Sequence, residues 1–289
     1  MSILNNRTDW NSASDLAREE VISRVITNEL KGVFEYKETI EYSCGGVKNQ
    51  VASFVHLPTK MLFHLLPGEV DYSIGLAAKH LFLLNSKYAV DLKENSTRTI
   101  QITPFLISQY LITEQAWNQF TGASLYRSFG PDFPIDAVER AEVEHWAQKS
   151  GLQVPSEMEW EYACKAGSDT IFYWGNKPNL DYAWTEENTN FGVGDAYTYR
   201  TFKGEEQKPA NAFGLLGMIG NLGEWVADDA YDFGRAYTSP KPYKSGSDKA
   251  DGILRGGWNQ YGWNFNRSTS RIQCGAGDTG CSARAVFRL

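Results

Sequence analysis

The alternation of apolar and polar positions changes character along the chain, and each change marks an element. Residues 12 to 31 place Val21, Ile22, Val25, Ile26 and Leu30 on one helical face. Ser12 with Asp15 has the spacing of a capping box and Gly32 supplies the stop, so one N-terminal amphipathic helix is predicted. From Val33 to about Ser86 the apolar runs are short and alternate, as in residues 52–57 and 61–66, which read as strands. Residues 99–112 read as a further single strand. Thr113 then caps a short helix carrying Ala116, Trp117 and Phe120. Asp136 to Lys149 reads as a helix burying Val138, Val143 and Trp146, with Gly151 after it.

Ser156-Glu157-Met158-Glu159 is the clearest helix start. The Ser156 hydroxyl can accept from the Glu159 amide while the Glu159 carboxylate returns to the Ser156 amide. After Gly167 periodicity dissolves for about forty residues of Gly, Asn, Asp and aromatics, and loops of that length are usually functional or pinned. Residues 239–252 form a Pro/Ser/Gly/Lys loop. Ile253-Leu254 opens the last structured stretch, and Ala283, Ala285, Phe287 and Leu289 alternate as a half-buried terminal strand does.

Composition narrows the functional classes. With 42% hydrophobic and 22% charged residues, the 289-residue chain can bury a substantial core. Nine Trp and 26 Gly point to irregular structure in which rings fix loops. A net charge of −7 argues against a nucleic-acid partner, because phosphate binding needs clustered Lys and Arg. No apolar run approaches the ~20 residues of a membrane span. Residues 1–31 show no apolar leader segment, so a cytoplasmic location is the default expectation.

Candidate chemistry is mostly excluded. His56, His64, His80 and His145 are dispersed, and HExxH, CxxC and GxxxxGK[ST] patterns are missing. Gly214, Gly217, Gly220 and Gly223 recur every three residues, but outside the strand-turn-helix setting of a dinucleotide fingerprint. Cys44, Cys164, Cys274 and Cys281 are too few for a disulfide framework; Cys274 and Cys281 either bridge a short loop or remain free thiols.

Several runs, taken in order, resemble the formylglycine-generating enzyme family, also called sulfatase-modifying factors. Leu152-Gln153-Val154-Pro155-Ser156-Glu157-Met158-Glu159-Trp160-Glu161-Tyr162-Ala163 is similar to its RLPTEAEWEYA signature. Asn211-Ala212-Phe213-Gly214-Leu215 followed by Gly220-Asn221-Leu222-Gly223-Glu224-Trp225 resembles NxxGLxxMxGNVWEW, with Gly223 where the family has an aromatic ring. Leu254-Arg255-Gly256-Gly257-Trp258 is similar to xRGGSW, and Val286-Phe287-Arg288-Leu289 to the closing GFR. Upstream, Leu65-Leu66-Pro67-Gly68 through Gly75 resembles xIPGGxFxMG, and Pro104-Phe105 to Phe120 resembles PFxIxxxEVTxxxYxxF.

The resemblance spans residues 33–289 and implies an α+β, C-type-lectin-like fold of the formylglycine-generating-enzyme type, loop-rich, behind an N-terminal extension of residues 1–32. It also implies pairing of Arg255 and Arg288 with buried acids such as Glu161 or Glu224. A structural calcium ion near Asn221 and Glu224 is implied as the one candidate cofactor, held by hard oxygen ligands. The family's copper-holding cysteines fall near Tyr261 and Asn266, neither of them a thiol, and thiolates are what copper(I) requires. The related sulfoxide synthases need a helical bundle with clustered histidines, which this chain lacks. An oxidoreductase with a non-standard metal site is the alternative function.

Residues 258–281 point elsewhere. Asn, Ser, Gly, Thr and aromatics dominate them, as in antibody paratopes, where rigid rings give contact area and small polar groups adapt. The segment resembles the C-terminal variable region of diversity-generating retroelement variable proteins, in which asparagine codons are rewritten by adenine mutagenesis. That resemblance implies a non-catalytic ligand-binding protein with an unidentified protein or other macromolecular partner. Its variable surface would comprise Asn259, Tyr261, Gly262, Asn264, Phe265, Ser270, Ile272, Cys274, Gly275, Gly277 and Asp278. Tyr261 and Phe265 are the expected anchors. Trp258, Trp263, Arg255 and Phe287 are expected in the interior.

Overall fold

The computed structural model describes residues 2–81, 97–122, 125–189, 208–231, 241–247, 250–275 and 281–289. Strands β1 (Phe34–Cys44) and β2 (Val47–His56) are joined at Gly45-Gly46. Both glycines have positive φ (+58° and +81°), the requirement of a two-residue hairpin turn matched to strand twist. β3 (Leu62–Leu66) pairs with β2. β4 (Glu69–Ile74) leaves this sheet, and a single helical turn α3 (Ala78–Leu81) follows the N-terminal helices and β4.

The expected single strand over 99–112 is two strands. β5 (Arg98–Ile102) pairs with β4, whereas β6 (Phe105–Ser108) pairs with β3 and joins the main sheet. Thr103-Pro104 lies between them, and proline has no N–H to carry a ladder through. With β10 (Val286–Arg288) against β6, the main sheet runs β1-β2-β3-β6-β10, antiparallel throughout. A second sheet, β7 (Glu224–Asp229), β8 (Gly252–Arg255) and β9 (Arg271–Cys274), carries the candidate segment.

The N-terminus corrects the expected single helix. α1 (Arg7–Ser12) is capped by Asn6 and α2 (Asp15–Val25) by Ser14, and a π turn (Ile26–Leu30) ends at Lys31 in the left-handed conformation. Ser12 is therefore the end of a helix rather than a cap. The expected apolar face survives: Val21, Ile22, Val25 and Leu30 are buried with Trp10, in the same core as Phe54 and Trp146. Trp10 Nε1 also donates to the Gln50 carbonyl at 2.7 Å, tying α1 to β2.

α4 (Glu114–Thr121) starts at Thr113 as expected, and Trp117 stacks on Trp146 of α5 (Arg140–Ser150). α5 begins four residues later than the apolar pattern suggested. Glu139 caps it, forming a reciprocal box with Glu142, while Val138 is buried ahead of the helix. α6 (Glu157–Lys165) has the expected Ser156/Glu159 box. Every residue of α6 is buried, its three glutamates included. A helix buried on all sides with charges aboard requires partners for them.

Candidate functional site

Those partners are the C-terminal arginines. Arg255 donates to Glu161 at 2.7 Å and to Glu157 at 3.0 Å, and its guanidinium also reaches the Ser268 and Thr269 carbonyls. Arg271 donates to Glu157 at 2.8 Å and lies over the Tyr231 ring. Arg288 grips Glu159 through two bonds of 2.7 Å. Burial alone would raise the Glu161 carboxyl, but Lys165, Arg255 and the Gly75 amide hold it below the usual range. Asp228, on the neighbouring strand, is pushed the other way, to about 7, by burial and then by Glu157. α6 is thus an anchor to which the start and end of the β8–β9 loop are fastened.

Arg255–Glu161 and the participation of Arg288 follow the expectation from sequence. Glu224 does not pair with either arginine. Its carboxylate is held by Arg284 at 2.7 and 2.8 Å, with Trp160 Nε1 donating to it at 2.8 Å.

The loop itself is organised from within. Gly256 and Gly257 have φ of +84° and +74°, and a Cβ on Gly257 would lie 2.2 Å from Asn266 Oδ1. That close approach lets the Asn266 amide donate to the Trp258, Tyr261 and Gly262 carbonyls. Arg267 folds back onto the Asn264 carbonyl at 3.0 and 3.1 Å. Asn259 is pinned by its amide to the Asn221 carbonyl, while its own carbonyl accepts from the Thr189 hydroxyl at 2.8 Å. The polar side chains of this loop chiefly build it. Asn266, near which the family resemblance would put a copper-holding cysteine, is a structural amide.

Two rings escape this interior. Tyr261 and Phe265 are 42% and 38% exposed, and they meet edge to face with centroids 5.0 Å apart. Trp258 lies behind them, 5.2 Å from Tyr261. Gly262, Asn264, Ile272, Cys274 and Gly275 are half-buried, and Ile272 and Cys274 lean on the core beside Trp258. Asn259 and Ser270, expected on the surface, are 0% and 2% exposed: the Asn221 carbonyl and the Thr189 hydroxyl hold the Asn259 main chain, and the Ser270 hydroxyl donates to the Asn264 carbonyl. Gly277 and Asp278 lie outside the described residues.

Trp263 is buried as expected, against Phe172 and Trp174. Trp258 and Phe287, expected in the interior, are only half-buried. Trp258 covers Gly223 on one side, and Phe287 sits edge-on to Phe34 at the margin of the sheet.

Sequence patterns missed the turn at residues 183–189. Glu186 donates its amide to the Tyr261 carbonyl at 3.5 Å, and the Trp184 carbonyl accepts from Asn221 at 3.0 Å. No periodicity marks such a turn. The one available signal was the Thr-Glu-Glu-Asn-Thr run, rich in residues that bond their own backbone.

Glu224, one of the two proposed calcium ligands, does not fit a cation. Glu224 is buried with both oxygens occupied by Arg284 and Trp160 donors, so a divalent ion would have to sit against a guanidinium. Among the described residues, no group of three or more His, Cys, Asp or Glu is arranged to hold a metal. The four cysteines are not paired at disulfide distance, which answers the Cys274–Cys281 question against a bridge. The catalytic cysteine pair is absent. Buried Cys164 is pushed up to about 12, chiefly by burial, which leaves it a thiol at neutral pH. Among the described residues, no helix is long and apolar enough to cross a membrane.

These features define an α+β, loop-rich protein whose C-terminal loop is fastened by buried arginines and which carries no catalytic cysteine pair. A family model described as the sulfatase-modifying factor enzyme 1-like domain matches residues 65–285, and the chain belongs to that family. It is 30% identical over 130 residues to a formylglycine-generating enzyme of Mycobacterium tuberculosis, covering 40% of this chain and 43% of that protein. It is 25% identical over 150 residues to the inactive C-alpha-formylglycine-generating enzyme 2 of Bos taurus, covering 50% and 48%. The chain spans less than half the length of the curated relatives it matches. The fold is similar to PvdO from Pseudomonas aeruginosa, with TM-score 0.65 and 24% identity over 80% of this chain and 95% of that one. It is also similar to Treponema denticola variable protein 1, with TM-score 0.57 and 17% identity over 88% and 100%.

Proposed function

We propose that this chain is a non-catalytic binding protein that displays its ligand surface on a C-type-lectin-like scaffold. The observation that carries the reading is the division of labour in the β8–β9 loop. Asn259, Asn266, Arg267, Ser268, Thr269 and Ser270 are buried, whereas Tyr261 and Phe265 stand exposed on a loop held rigid from below. Exposed rings on a pre-organised support are the usual energetic anchors of an interface, since little ordering entropy remains to be lost on binding. No bond is made or broken in this reading, and no cofactor is required.

Diversification is the second element of the proposal. A protein of Treponema denticola named as a variable protein shares this fold. Tyr261 and Phe265 form the exposed part of the segment, with Gly262, Asn264, Ile272, Cys274 and Gly275 half-buried around them; Gly277 and Asp278, outside the described residues, belong to the same run of sequence. All are residue types that adenine changes in asparagine codons reach, or asparagine itself. Such a patch contributes several hundred Å² to an interface, towards ~800 Å² per partner for a full one.

A photo-crosslinking residue at position 265 tests the surface directly. Crosslinked partner should be recovered, and replacing Tyr261 by Ser in the same protein should remove it without altering the melting temperature. Capture indifferent to Tyr261 would sink the reading. Sequencing the flanking DNA tests diversification: a near-copy of the segment differing at adenines, beside a reverse transcriptase gene, is expected.

A further inference from the structure

Glu186 lies outside the C-terminal segment, yet its carboxylate belongs to the same surface. Its Oε1 leans over Gly262, 2.8 Å from where a Cβ on that glycine would sit. The turn that carries it is fixed at several points. The Glu186 amide meets the Tyr261 carbonyl, the Thr189 hydroxyl reaches the Asn259 carbonyl at 2.8 Å, and Asn188 binds the Thr185 amide and the Ala183 carbonyl. Glu186 itself is exposed, and among the described residues no cation pairs with it. The nearby Lys208 lies over the Trp184 ring instead, 3.9 Å from its centroid.

A carboxylate that lies over Gly262, between Tyr261 and Phe265 in sequence, and that pairs with no cation among the described residues has a definite chemical preference. The ring faces of Tyr261 and Phe265 attract a cation through their quadrupoles, and a carboxylate at the same place supplies a charged acceptor. A guanidinium satisfies both, stacking its plane on a ring while its N–H fork meets the carboxylate. The overall net charge of −7 reinforces the sign.

We infer that Glu186 is a specificity-determining residue of this surface and that the surface takes an arginine side chain of a basic protein partner, bound between the Glu186 carboxylate and the Tyr261 and Phe265 rings. Gly262 sets the room for it. Any side chain at 262 would push the Glu186 carboxylate, the mobile end of its residue, without disturbing the pinned turn. Variation at 262 therefore retunes the charge selectivity of the surface from outside the turn that bears the charge. The inference rests on the binding-surface reading above and names the partner chemistry within it.

The test is an NMR titration of the intact chain with acetyl-Gly-Arg-Gly-amide, and with the same peptide carrying citrulline, the neutral isostere. Aromatic signals of Tyr261 and Phe265 should shift saturably with the arginine peptide, at least about fivefold more tightly than with citrulline. Glu186→Gln should erase that preference and leave the spectrum of the core unchanged. Glu186→Asp should retain part of it, which a merely structural role would not predict. Equal binding of the two peptides, or an unchanged preference in Glu186→Gln, would overturn the inference while the surface reading stands. Absence of any shift with either peptide overturns the inference too, and the crosslinking at position 265 then judges the surface on its own.

Discussion

The ring of Trp258 lies on Gly223: a Cβ there would come within 2.7 Å of the indole. The family motifs that the sequence resembles carry a ring where this chain has Gly223 and a small serine where it has Trp258. In this chain the Trp258 indole, which comes from the loop, occupies the space that a side chain at the position before β7 would need. This relationship makes the pair strongly coupled. Gly223→Trp alone should overpack the site and cost about 1–3 kcal/mol. Combined with Trp258→Ser it should recover at least about 1 kcal/mol in a double-mutant cycle followed by urea melts. Strict additivity would show that the two positions do not share one volume.

Arg255 and its carboxylates should be the most sensitive polar site. Arg255→Met leaves Glu157 and Glu161 buried with fewer donors, and breaking a buried pair on one side costs about 3–5 kcal/mol. Equilibrium denaturation should register this loss, with Arg255→Lys intermediate because a single ammonium cannot reach both glutamates and the two carbonyls. A change below ~1 kcal/mol would remove the anchoring role assigned to the network.

Tyr261 and Phe265 should be dispensable for folding. Replacing both by Ser should leave the melting temperature nearly unchanged, as exposed substitutions do. Trp263→Ser should cost about 3–5 kcal/mol, as large-to-small core changes do. Reversal of that order in thermal melts would place the exposed rings in the core.

Chelation should not affect the fold. With the Glu224 oxygens taken by Arg284 and Trp160, EDTA is expected to leave the melting temperature unchanged and added calcium to leave it unchanged as well. A drop on chelation that calcium reverses would show a calcium-dependent element elsewhere in the chain.

His64 should give the fold an acid-sensitive window. Burial lowers its pKa from 6.5 to about 4, although the hydrogen bond to the Phe213 carbonyl works the other way. Between those values the unfolded chain binds a proton that the folded chain refuses, so stability falls as pH drops from 6.5 towards 4. Each unit is worth about 1.4 kcal/mol. The stability gap between the wild type and a His64→Gln variant should therefore narrow over that window in urea melts at successive pH values. A constant gap would mean that His64 titrates normally in the fold.

What could be read from the residues alone was local. Ser156 and Glu159 are a cap because both bonds form within one turn, and Thr113, Gly151 and the apolar face of Val21, Ile22 and Val25 follow from the same short-range physics. The family motifs were legible for a related reason, since each is a compact run. Most of the errors lay where a choice is made between long-range partners. Whether residues 99–112 make one strand or two depends on which strands stand opposite, and Glu224 pairs with Arg284 while Arg255, its neighbour across the sheet, pairs with Glu157 and Glu161 of α6. Within residues 258–275, composition marked a polar, aromatic loop but could not sort it. Asn259 and Ser270 are as polar as Asn264, yet the Thr189 hydroxyl and the Asn221 carbonyl hold the Asn259 main chain and the Asn264 carbonyl takes the Ser270 hydroxyl. Whether a polar residue can go inside is decided by the folded neighbours that bond it, and for Asn259 those lie tens of residues away.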